Sequence, residues 1–85
     1  MTPQEETEAV HALILDALAA TRELLEADEA CARAGTEVLG GRTDAAWLAL
    51  ARSQEAARRA ETRRREAWEA VRRVWEAYVH QETDG

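Results

Sequence analysis

Pro3 is the chain's one proline, and from there to Gly35 nothing interrupts a helix. Gly35, Gly40 and Gly41 supply the single glycine-containing break, and no further helix breaker follows until Gly85. A chain punctuated only there has two long helices and one turn open to it, and little else. Both flanks carry apolar residues at helical spacing. Val10, Leu13, Ile14, Ala17, Leu18, Leu24 and Leu25 form a wide face on the first, and Trp68, Val71, Val74, Trp75, Tyr78 and Val79 a stripe at the end of the second.

The expected fold is all-α: an antiparallel two-helix hairpin with helices at about 3–34 and 44–81, a single domain over residues 1–85, and a short polar C-terminal tail. Thr2 can cap the first helix, Pro3 suits a first-turn position that needs no amide donor, and Glu5 completes a capping-box pattern. Thr43 or Asp44 caps the second helix, and residues 36–39 either extend the first or belong to the connection.

Charge favours this pairing. Residues 1–41 carry nine acids against Arg22 and Arg33, a balance of −7; residues 42–85 carry nine Arg against eight acids, a balance of +1, and together they give −6. With the turn centred near Leu39, Glu5–Glu8 lie beside Arg72–Arg73, and Asp16 lies beside Arg63–Arg65. That register sets Leu13, Ile14 and Leu18 opposite the polar stretch 61–66. It also lets Trp68 and Val71 meet Val10 and Leu13, and carries Trp75, Tyr78 and Val79 past the start of the first helix. Both apolar patches are then left partly wet. A second copy completing a four-helix bundle, or a larger helical oligomer, would cover them.

Size argues the same way. A single small core rarely supplies more than roughly 3–5 kcal/mol, and one cysteine, Cys31, allows no intrachain disulfide. Self-association is the expected remedy, with another protein as the alternative partner. The net charge of −6 disfavours general attraction to nucleic acid or anionic lipid. No apolar run approaches the ~20 residues of a membrane span, and no basic-then-apolar leader pattern opens the sequence. The expected setting is cytoplasmic.

Four patterns could carry chemistry. Arg52, Arg58, Arg59, Arg63, Arg64, Arg65, Arg72 and Arg73 could form a basic patch for structured RNA on a hairpin dimer. However, Glu55–Arg59, Glu61–Arg65 and Glu69–Arg73 are spaced i,i+4 with the acid first, which reads as a solvated face of intrahelical pairs. No aromatic residue lies among positions 52–66 to stack on bases. Glu8-Ala9-Val10-His11 has the Glu-x-x-His spacing of ferritin-like di-iron bundles, and the expected register brings Glu66 or Glu69 near His11. The same residues read more simply as a surface histidine among many acids, so no metal and no cofactor is expected. Cys31 has no histidine near it and reads as a small packed thiol.

Tyr78-Val79-His80-Gln81-Glu82 resembles the Tyr-x-x-x-Asp/Glu tail signal of the WXG100 family. That resemblance implies a secreted helical-hairpin protein that pairs into four-helix bundles. The family's Trp-x-Gly at the turn is absent here, since Trp47 follows the glycines and precedes Leu48-Ala49. No phosphate loop or catalytic triad pattern occurs. The leading functional expectation is a non-enzymatic interaction or regulatory module. Its contact residues would be Trp68, Val74, Trp75, Tyr78, Val79, Leu13, Ile14 and Leu18.

Overall fold

A computed structural model describes residues 2–84, with side-chain surroundings given through Gln81. It is an all-α hairpin of two antiparallel helices, α1 (Pro3–Gly41) and α2 (Asp44–Asp84), measuring 63 × 21 × 14 Å. At 1.5 Å per residue, a helix the length of α2 spans roughly the whole long dimension. The two helices are therefore nearly flush at both ends. Among the described residues, no helix is long and apolar enough to cross a membrane.

Local chemistry sets both helix starts. The Thr2 hydroxyl accepts a hydrogen bond from the Glu5 amide at 3.2 Å, with Pro3 in the first turn. The Thr43 hydroxyl accepts from the Ala46 amide at 3.1 Å, so Thr43 and not Asp44 is the cap.

The first helix does not stop at residue 34. It runs through Gly35 and Gly40 to Gly41, and none of these three glycines has positive φ. The left-handed position falls instead on Arg42, at φ 47° and ψ 34°, whose amide donates to the Val38 carbonyl at 2.9 Å. A glycine inside a helix costs about 1 kcal/mol relative to alanine. Ala34 and Val38, only 6% and 5% exposed, supply the packing that offsets it. The second helix likewise continues to Asp84, so the tail expected after Gln81 is helical through that residue.

Longer helices move the turn to Arg42–Thr43, and the expected register shifts with it. Val71 packs against Ala17, Ala20 and Ala67 and also lines a groove with Val10 and Leu13. Trp68 reaches Thr21. Leu13 and Ile14 do not face the polar 61–66 stretch; they line a groove with Val74 and Trp75. Trp75 and Tyr78 share that groove with Pro3 and Val10, so the expected overhang past the start of α1 does not exist.

The interhelical seam follows a seven-residue repeat. On α1 it runs through Val10, Leu13, Ala17, Ala20, Leu24, Ala27, Cys31, Ala34 and Val38, all buried or half-buried. On α2 it runs through Ala46, Leu50, Ser53, Ala57, Ala60, Arg64, Ala67, Val71 and Val74, again buried or half-buried. Among the described residues the fully packed ones are Ala17, Ala20, Ala34, Val38 and Ala67, and no large side chain is completely buried. Small residues let the helices approach closely, but each alanine methyl contributes only about 0.8 kcal/mol on burial. That is little against the ~1–2 kcal/mol per residue of backbone entropy lost on ordering two long helices.

Candidate interaction surface

The seam divides the hairpin into two broad flanks of different chemistry. One is marked by Arg63, which reaches from α2 to two acids of α1. Its Nε donates to Glu23 Oε2 at 2.7 Å and its Nη2 to Asp16 Oδ1 at 3.3 Å. The expected Asp16–Arg63 proximity is thus realised, with Glu23 as a second partner the sequence reading did not name. The hydrogen bonds from Glu23 and then Asp16 raise the guanidinium pKa further.

The opposite flank is marked by Trp68. Its indole Nε1 donates to Thr21 Oγ1 at 2.9 Å, and that hydroxyl donates to the Ala17 carbonyl at 2.8 Å. Leu18, Leu25 and Leu39, at multiples of seven, lie beside Thr21 on this flank and are 52%, 59% and 77% exposed. Trp47, Trp68 and Trp75 also differ by multiples of seven, so all three tryptophans line one edge of α2 on the same side. The heptad relation among the tryptophans was present in the sequence, but an apolar stripe read only from Trp68 onward left Trp47 out. Trp47 and Leu48 are each about half exposed.

At the free ends of the helices the flank opens into a groove of about 870 Å³. Val10, Leu13, Ile14, Val74, Trp75 and Tyr78 provide its apolar lining, with Glu6 and His11 also present. The Trp75 and Tyr78 rings stack at 6.1 Å with a 29° interplanar angle. Of the expected contact residues, Leu13, Ile14, Val74, Trp75 and Tyr78 come together here, and Trp68 and Leu18 lie along the adjoining flank. Val79, 40% exposed, is at the outer edge of α2.

The other candidate clusters are dispersed. Glu69 contacts Arg72 and Arg73, Glu8 accepts from Gln4, Glu66 is exposed, and His11 lines the groove. No group of three or more His, Cys, Asp or Glu placed to hold a metal ion occurs among the described residues. The arginines of α2 are largely engaged along their own helix. Arg58 and Arg59 contact Glu55 at 2.8 and 3.4 Å, and Arg64 and Arg65 contact Glu61 at 2.5 and 4.0 Å. The three expected i,i+4 pairs all form, with tighter i,i+3 partners beside them. Hydrogen bonding from Arg58 holds the Glu55 carboxyl below its ordinary value, and Arg64 does the same for Glu61. Glu82, the acid of the WXG100-like pattern, has a side chain outside those described.

No protein-family model, curated protein or solved structure matches the chain.

Proposed function

We propose that this protein is a small, non-enzymatic interaction module that self-associates through the Leu/Trp flank, with the terminal aromatic groove as its anchor. One observation carries the reading: the packed residues are four alanines and Val38, while five of the eight leucines and all three tryptophans are exposed. Among the described residues ten large apolar side chains are exposed, Leu18, Leu25, Leu39, Trp47, Trp68 and Trp75 of them on one flank. A helix pair with that distribution gains more by covering the flank than it gained by forming the seam. Aromatic anchors in a partly formed pocket are what protein interfaces prefer. A regulatory role would act through this contact.

Urea unfolding at several protein concentrations tests the proposal, because an assembly's midpoint rises with concentration and a monomer's does not. Wild type is expected to show the rise, and Leu18→Glu to lose it. A wild-type midpoint independent of concentration contradicts the proposal.

A further inference from the structure

We infer that the occupant of the Leu/Trp flank is a second copy of this chain, stacked with its turn at the same end so that the two-fold axis runs along the length of the hairpins. This rests on the self-association proposed above and adds its geometry. Two hairpins can stack flank to flank in two ways. With the axis lengthwise, α1 of one copy lies beside α2 of the other. With the axis crosswise, the copies are turned end for end, and α1 lies beside α1 and α2 beside α2.

Charge separates these arrangements. The half containing α1 carries −7 and the half from Arg42 onward +1. Between positions 52 and 73 the second half is more basic still, with eight Arg against Glu55, Glu61, Glu66 and Glu69, a balance of +4. The crosswise axis would set the acidic helix against its own copy. The lengthwise axis sets the middle of α1, with Asp16, Glu23, Glu26, Asp28 and Glu29, against the Arg-rich stretch 52–73.

The positions of the tryptophans along the flank favour the same axis. A mainly polar level, where Asp28, Glu61 and Arg65 line a shallow groove of about 470 Å³ and Leu25 is the exposed apolar residue, separates the Leu39/Trp47 level at the turn from the Leu18/Trp68 and Ile14/Trp75 levels beyond. The midpoints of α1 and α2 are residues 22 and 64, (3 + 41)/2 and (44 + 84)/2. End-for-end stacking about that middle sets Trp68 against Glu61 of the second copy, and Trp75 against its Gln54. Lengthwise stacking keeps each level opposite itself. Trp68 meets Leu18 of the second copy, Trp47 meets its Leu39, and Asp28 meets its Arg58 and Arg65. The resulting bundle is polar, with both turns at one end and both aromatic grooves at the other.

Spin-label distances across the assembly decide between the two. The full chain carries Cys31→Ala and one label at Gly40→Cys, an exposed site near the turn where an added side chain meets nothing within 4 Å. Glu37→Cys serves as a second site, and far-UV dichroism checks that each labelled chain keeps wild-type helicity. Lengthwise stacking places both labels at one end, separated by the bundle's width, on the order of 20–35 Å for helices of ~10–12 Å diameter. A separation approaching the 63 Å hairpin length overturns this geometry while leaving self-association intact. Absence of any dipolar signal at micromolar concentration overturns both.

Discussion

The Trp68 indole is tied to Thr21 across the helix pair, with Nε1 and Oγ1 2.9 Å apart, and Thr21 is tied in turn to the Ala17 carbonyl. This bond turns the Nε1 edge of the Trp68 ring toward α1, and the side chain stays 36% exposed. A buried tryptophan would contribute more to the hairpin alone. A tethered, partly exposed one is a preorganised contact.

Removing that tether should be felt modestly. A neutral hydrogen bond contributes about 0.5–1.5 kcal/mol net, and the indole N–H of a partly exposed tryptophan can turn to water. Thr21→Val, which keeps the β-branched shape, is expected to lower stability by about 0.5–1 kcal/mol. Urea titration should show a lower midpoint with an unchanged slope.

Arg63 is the structural counterpart of Trp68 on the other flank, but its contribution is electrostatic and exposed. Arg63→Ala is expected to lower the thermal midpoint at low salt, with the difference shrinking at about 1 M salt, where the screening length is about 3 Å. Thermal melts of both proteins across a salt series measure this. A difference that persists undiminished would mean that Arg63 acts through packing.

The turn region yields two substitutions of like sign for different reasons. Gly40 is helical with open space where a Cβ would stand, so Gly40→Ala should stabilise by about 0.5–1 kcal/mol. Arg42 holds a left-handed conformation, which costs a residue with a Cβ about 1–2 kcal/mol. Arg42→Gly should relieve part of that. Chemical denaturation of each variant is the check; a destabilised Gly40→Ala would place the turn where the glycines alone suggest.

These glycines mark the boundary of what the sequence made legible. The hairpin, its antiparallel pairing, the caps at Thr2 and Thr43, the Asp16–Arg63 contact and the solvated pairs of α2 all follow from local rules of spacing and charge. The register did not, because glycine next to a helix end is read as a stop. Its phase could have been read further. Val38 continues the line of Val10, Ala17, Leu24 and Cys31 at intervals of seven, so the seam runs through Gly35 unbroken. Moving the turn from Leu39 to Arg42–Thr43 shifts every cross-helix pair. It turns an imagined aromatic overhang into a groove lined by both helices. Leu13, Ile14, Val74, Trp75 and Tyr78 still line one groove after that shift because they are neighbours on their own helices, while the expected meeting of Glu66 or Glu69 with His11 depended on the register and is not formed as a cluster.

Acid should weaken α2 in a defined direction. Glu55 and Glu61 are held below 4.5 by Arg58 and Arg64 respectively. A carboxyl whose pKa is lower in the folded chain stabilises it above the unfolded value, and that contribution is lost as pH falls through the folded one. Thermal midpoints should therefore hold steady from neutral pH toward 4.5 as far as these two pairs are concerned, then decline below it. Glu61→Gln should show a smaller decline than wild type over the same range.

The central claim is that an alanine-seamed hairpin with a Leu/Trp flank is half of an assembly. Sedimentation equilibrium of the wild-type chain at micromolar concentration measures this directly. The expected mass is at least 19 kDa, twice the 9.5 kDa of one chain, together with full helicity. A fully helical species of 9.5 kDa across that range would contradict it.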